Sequence, residues 1–269
     1  MNSAPAELAV NGLTVRFGGL TALDAVAFEV RAGEVLSLIG PNGAGKTSAF
    51  NAITGYIVPT AGEIRYRGTR LNGLKPSAVA ALGLVRTFQK TSVFAGQTVH
   101  DNVLIGAHLR SRQRPLAILG GLPSVAREER ELQQCARDIL SFVGLSARSA
   151  EIASALPYGE LRLLEVAIAL AARPRLLLLD EPVSGMNPVE TRSFMGLLAR
   201  IREQGVAVLL VEHDMNMVMG VSDRIVCLNH GRIIASGVPA EIQSNPDVIR
   251  AYLGERFMRR AEPSPSVKQ

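Results

Sequence analysis

Gly40, Pro41, Asn42, Gly43, Ala44, Gly45, Lys46 and Thr47 satisfy the pattern G-x-x-x-x-G-K-[ST], and Ser48 follows. This is the chemistry of a phosphate cradle. Glycines let successive backbone N–H groups converge on phosphate oxygens, and the start of a helix adds partial positive charge. Lys46 then meets the outer phosphates, and the Thr47 hydroxyl is a ligand for Mg²⁺. The chain holds only four lysines, and one of them stands here.

A second chemical element is the string LLLLDEP at residues 176–182, in which four leucines deliver Asp180 and Glu181 to a strand end. Successive strand residues point to opposite faces, so the two carboxylates have different tasks. One suits the Mg²⁺ shell, and the other polarises a water for in-line attack on a terminal phosphate. Alone, an acidic pair after leucines is a solvated strand end. About 130 residues beyond a phosphate cradle, it reads as the second half of a nucleotide site.

The elements that must position these residues follow from the apolar pattern. Residues 8–17 and 26–30 carry apolar residues at roughly alternate positions around Gly18-Gly19, the pattern of antiparallel strands. The runs 35–39, 176–179 and 206–211 are short and apolar but for Ser37, as strands buried on both faces are. Helical spacing occupies 47–54, 160–172 and 188–203, the last opening on Pro188. The alternation indicates an α/β core. Between 98 and 155 the strand signal gives way to helical spacing, predicting a helical subdomain. Past Gly254 the chain is polar and proline-broken, a frayed tail.

Composition narrows the class. With 269 residues, 47% hydrophobic, the chain has a sizeable core, and its formal charge of +5 does not imply nucleic-acid binding. Cys135 and Cys227 stand apart without metal-ligand spacing, which fits a reducing compartment. The amino end lacks a signal pattern and no stretch reaches 18 apolar residues, so neither secretion nor membrane spanning is expected.

With these motifs in place, the sequence resembles an ABC-type nucleotide-binding subunit: a P-loop α/β core with an antiparallel β subdomain and an inserted helical subdomain. Gln89, in VRTFQK, matches the glutamine that in this family senses Mg²⁺ and the attacking water. His213, in LLVEHDM, matches the switch histidine that contacts the γ-phosphate, and Phe17, in VRFGGL, the aromatic on which adenine stacks. Residues 156–170, LPYGELRLLEVAIAL, stand where the signature motif opens a helix. The Asn-Pro pair at 187–188 and the ending NPDVIRAYLG further resemble the ATP-binding subunit of high-affinity branched-chain amino-acid importers, a likeness running from about residue 8 to 254. It implies one ABC domain over 1–254, with the helical subdomain at about 91–170, and a flexible tail at 255–269.

The signature departs from the usual LSGGQ. Pro157 replaces the serine and Tyr158 the first glycine, while Gly159 is kept and Glu160 brings a carboxylate toward a γ-phosphate. Tyr158, Gly159 and Glu160 remain the candidates for contact with a second subunit's nucleotide, because a helix start still offers N–H donors. The charge argument makes Glu160→Gln an activating change.

The resemblance implies ATP and Mg²⁺ as ligands, Thr47, Gln89 and Asp180 in the Mg²⁺ shell, and Glu181, His213 and Gln89 in hydrolysis. It also implies transmembrane permease subunits, a homologous second ATP-binding subunit or a second copy of this chain, an extracytoplasmic substrate-binding protein, and residence at the cytoplasmic face of the inner membrane. Related ATPases for urea, aromatic acids or lipopolysaccharide export are alternatives, as are a soluble ABC ATPase of repair or translation and a non-hydrolysing cassette. Arg110, Arg112, Arg114, Arg259 and Arg260 read as a solvated basic face rather than a lipid-binding one.

Overall fold

The computed structural model describes residues 6–87, 93–108 and 123–252, with backbone only at 108 and 123–125. Gln89, Arg110, Arg112, Arg114, Arg259, Arg260 and the tail at 255–269 lie outside the described residues. The chain divides into two compact units, Met1–Leu74 with Leu209–Gln269, and Lys75–Val208.

In the first unit, β1 (Ala6–Phe17) and β2 (Leu20–Arg31) form the hairpin expected around Gly18-Gly19. β4 (Ala61–Tyr66) pairs with the other edge of β1, and β5 (Thr69–Arg70) completes an antiparallel sheet in the order β2-β1-β4-β5. The alternation of buried residues runs Leu8, Val10, then Leu13, Val15. It slips by one residue at a register shift between Val10 and Leu13, which keeps the apolar side facing inward beyond the irregularity. β3 (Val35–Ile39) pairs parallel with β9 (Arg224–Asn229), and β9 pairs antiparallel with β10 (Arg232–Gly237). All five residues of β3 are buried, four of them apolar and the fifth, Ser37, paired through its hydroxyl with that of Ser222 at 2.6 Å. Helices α1 (Lys46–Ile53), α7 (Met215–Val221) and α8 (Pro239–Ser244) belong to this unit.

The second unit contains α2 (Pro76–Ala81), β6 (Leu84–Arg86), α3 (Val99–His108), α4 (Pro123–Val143), α5 (Tyr158–Ala171), β7 (Leu176–Asp180) and α6 (Pro188–Glu203). β6 and β7 run parallel, Arg86 standing opposite Leu178. Each leucine of β7 is fully buried, which contributes about 2 kcal/mol per side chain. α3, α4 and α5 pack on one another. Asn102, fully buried, fastens the start of α3: its Oδ1 accepts from the Phe94 N–H at 2.7 Å and its Nδ2 donates to the Phe94 and Thr98 carbonyls. β8 (Ala207–Val211), buried throughout, carries the chain from the second unit into the first.

Candidate functional site

β3 runs directly into the cradle residues, and α1 leaves them at Lys46. The two glycines of the motif are required by geometry. Gly40 has φ +146°, and a Cβ on it would lie 2.1 Å from the Leu228 carbonyl oxygen. Gly45 has φ +109°, and a Cβ there would lie 2.6 Å from the Ala22 carbonyl oxygen. No side chain caps α1 and no acidic residue occupies its first turn, an arrangement suited to an anion at its amino end. Lys46 is buried, its Nζ donating to the carbonyls of Gly40 (2.5 Å) and Pro41 (3.0 Å), which orient the ammonium along the loop. Asn42, Gly43 and Thr47 are exposed at the rim, with Ser48 half-buried behind them and Ala44 fixed beneath, its carbonyl accepting from the Gly231 N–H at 3.0 Å.

Phe17 closes β1 with its ring 49% exposed, so it is not a core residue but a free aromatic face. His213 is also exposed, on the turn between β8 and α7. Its backbone is set by the buried Glu212, whose Oε2 accepts the His213 N–H at 3.0 Å, and by Asp214, which caps α7 through the N–H groups of Asn216 and Met217. Phe17, residues 40–48 and His213 thus belong to the first unit.

Asp180, Glu181 and Tyr158–Glu160 belong to the second. Asp180 ends β7, buried, and its Oδ2 accepts from Arg86 Nη2 at 2.7 Å. Glu181 is next, with φ +51°, a left-handed conformation that costs a non-glycine residue about 1 kcal/mol. That turn takes Glu181 off the strand direction, and the Ser184 N–H closes onto its carbonyl at 3.2 Å. Strain of this kind persists where surrounding structure over-determines it.

At the start of α5, the exposed Tyr158 ring packs on the turn that follows Glu181: a Cβ on Gly185 would lie 2.9 Å from the ring edge. The Tyr158 hydroxyl accepts from Arg162 Nη2 (2.6 Å) and Nε (3.0 Å), and Arg162 Nη1 donates to Glu165 at 2.8 Å. Burial pulls the Arg162 guanidinium down, but its bonds to Glu165 and Tyr158 outweigh that and hold it above its ordinary value. Gly159 is buried against Glu190, whose Oε1 would lie 2.8 Å from a Cβ there. Glu190 is itself placed by a capping box: Asn187 Oδ1 accepts from the Val189 and Glu190 N–H groups, and Glu190 Oε2 accepts the Asn187 N–H at 2.8 Å. Glu160 is not an uncompensated charge. Arg148 Nε lies 3.2 Å from its Oε2, and the same arginine binds Glu151 at 2.9 Å. Glu151 first, and Glu160 after it, raise the Arg148 guanidinium above its ordinary value.

Sequence reasoning passes over Arg86, Arg148 and Tyr252, whose hydroxyl accepts the Gly40 N–H at 2.9 Å. Arg86 is one of 25 arginines, and nothing in its spacing sets it apart from the others. Arg148 stands in an irregular stretch without periodicity, and Tyr252 is 212 residues from its partner.

The sequence matches the ABC transporter family over residues 23–184 and the branched-chain amino acid ATP-binding cassette transporter family over residues 232–258. The high-affinity branched-chain amino acid transport ATP-binding protein BraF of Pseudomonas aeruginosa is 46% identical over 249 residues, 92% of this chain and 98% of that one. Its counterpart LivG of Escherichia coli is 45% identical over the same shares. A solved ATP-binding cassette of an ABC transporter in its ADP conformation matches with a TM-score of 0.82 at 29% identity, covering 93% of this chain and 100% of that one. A nucleotide-free cassette matches with a TM-score of 0.80 at 28% identity, over 92% and 99%. The chain therefore belongs to the ABC transporter family, as an ATP-binding cassette that hydrolyses ATP.

Proposed function

We propose that this chain is the ATP-hydrolysing subunit of an importer for branched-chain, hydrophobic amino acids. The observation that carries this reading is the C-terminal stretch 232–258, which resembles that subfamily rather than ABC cassettes at large. Phe17 stacks on adenine, residues 40–48 bind the phosphates, and Lys46 meets their outer oxygens. The Thr47 hydroxyl, the Gln89 amide and the Asp180 carboxylate are hard oxygen donors of the kind Mg²⁺ takes, with phosphate oxygens supplying the rest. When bound, Mg²⁺ neutralises charge developing on the phosphates. Glu181 accepts a proton from the attacking water at its carboxylate, and His213 donates to a γ-phosphate oxygen. Tyr158, Gly159 and Glu160 face the nucleotide of a second cassette, a homologous partner before a second copy of this chain.

The chain works with separate transmembrane permeases, peripheral at the cytoplasmic face of the inner membrane, with a substrate-binding protein on the other side; no described helix is long and apolar enough to cross a membrane. The test is reconstitution in vesicles with the cognate permeases, second cassette and binding protein. ATP-dependent uptake of labelled leucine is the expected result. Uptake of urea or an aromatic acid without leucine overturns the cargo, and no hydrolysis under any pairing overturns the ATPase reading.

A further inference from the structure

The subfamily-specific ending NPDVIRAYLG has no part in the roles above, yet its described part, residues 245–252, is tied to the first unit by packing and hydrogen bonds. Asn245 and Pro246 start a short helix over residues 246–252: Asn245 Oδ1 accepts from the Asp247 and Val248 N–H groups at 2.9 and 3.3 Å, and Pro246 takes the position where an N–H is dispensable. Val248 is buried in a cluster with Ile39, Ile225, Cys227 and Ile242, and Tyr252 packs against the same cluster. Ile39 is the last residue of β3, immediately before the phosphate loop.

From that seat Tyr252 reaches the loop. Its hydroxyl accepts the N–H of the buried Gly40 at 2.9 Å, while the Gly40 carbonyl accepts from Lys46. The first glycine of the phosphate motif is therefore gripped from both sides, by the C-terminal helix at its amide and by the motif lysine at its carbonyl. Close approach to the Leu228 carbonyl leaves it no room to shift in that direction. A buried N–H that loses its acceptor either stays unsatisfied or turns to find another, and turning the Gly40 peptide moves the Lys46 anchor with it.

We infer that Tyr252 is a positioning residue for the phosphate loop, and that the C-terminal segment thereby sets the affinity of this cassette for nucleotide. The inference rests on the phosphate-loop reading given above. The subfamily ending is then not a passive terminus but a part of the nucleotide site's second layer, and any partner that pulls on it acts on ATP binding without touching ATP.

Tyr252→Phe removes only the hydroxyl. The experiment titrates the full-length purified chain with a fluorescent ATP analogue and Mg²⁺, alongside its unfolding temperature. Ile242→Val serves as a control, since it takes one methylene from the same cluster without touching the hydroxyl. We expect Tyr252→Phe to weaken nucleotide binding by about ten-fold, and to raise KM with kcat within about two-fold in the assembled transporter. Ile242→Val should lower the unfolding temperature while leaving nucleotide affinity within about two-fold. Unchanged affinity in Tyr252→Phe overturns the inference. So does a loss of affinity that both variants share in proportion to their lost stability, because the role is then structural. A wild-type chain that ignores the nucleotide overturns instead the phosphate-loop reading beneath it.

Discussion

Arg86 Nη2 donates to Asp180 Oδ2 at 2.7 Å, with side-chain exposures of only 8% and 5%. The parallel pairing of β6 with β7 produces this contact, because Arg86 stands opposite Leu178, two residues before Asp180. Burying a carboxylate costs several kcal/mol unless a partner compensates it. The second unit therefore carries its own counter-charge for the strand-end aspartate, independent of any cation the site binds.

Arg86→Ala is expected to destabilise the protein by about 3–5 kcal/mol, since it removes that partner from a buried charge. Arg86→Lys recovers part of the loss, as an ammonium replaces one donor but not the planar fork. Because Asp180 is the proposed Mg²⁺ ligand, Mg²⁺ with nucleotide should stabilise the alanine variant more than the wild type. Urea denaturation with and without Mg-ATP measures both effects. An alanine variant within about 1 kcal/mol of wild type would show that the ion pair is not what holds Asp180.

Glu181→Gln keeps the size and hydrogen-bonding reach of the side chain at its left-handed position and removes its basicity. Hydrolysis should fall by about 10²–10⁴-fold, the span of a lost general base, with ATP binding retained. ATP-bound closed dimers should then accumulate and be visible by size-exclusion chromatography. A variant hydrolysing at the wild-type rate removes Glu181 from the base role.

Glu160→Gln is activating on the sequence argument of a bare carboxylate beside a γ-phosphate. The structure revises the expectation, because Arg148 pairs with Glu160 and the mutation breaks a half-exposed ion pair rather than relieving a repulsion. Turnover in the assembled transporter should stay within about two-fold of wild type, with a stability loss below about 1 kcal/mol. A clear rise in turnover would restore the repulsion argument.

What was legible in the sequence is what local pattern dictates. The three apolar runs became β3, β7 and β8, and Pro188 starts α6 as its position implied. Asn187, read only as half of a subfamily marker, has a physical role beside that proline: it caps the helix, and Glu190 completes the box beside Gly159. β10 left little trace because most of its residues are half-buried, which blurs a two-residue period. The site's supporting contacts were illegible for a different reason. Arg86–Asp180 joins positions 94 apart and Gly40–Tyr252 positions 212 apart, and no local spacing encodes either. Gln89, identified by its motif, lies outside the described residues.

Cys227 gives a prediction with a definite sign. It lies fully buried on β9, and burial pushes its thiol from the ordinary 9.0 up to about 11, with the positive charge of Lys46 working the other way. Below pH 9 native and unfolded chains both hold the proton. Between about pH 9 and 11 the unfolded chain releases it while the native chain keeps it, so stability falls as pH rises, by about 3 kcal/mol across the window. Cys227→Ala removes this contribution, leaving a pH-independent packing loss, so its unfolding free energy should converge on that of the wild type as pH rises from 8 to 11.5, about half a unit to a unit beyond the window at either end. Other groups titrate in the same range in both proteins and cancel in the difference. Urea denaturation series on the two proteins measure it. Parallel stability curves would mean that the Cys227 thiol titrates alike in the native and unfolded chains, and that burial at β9 does not hold its proton.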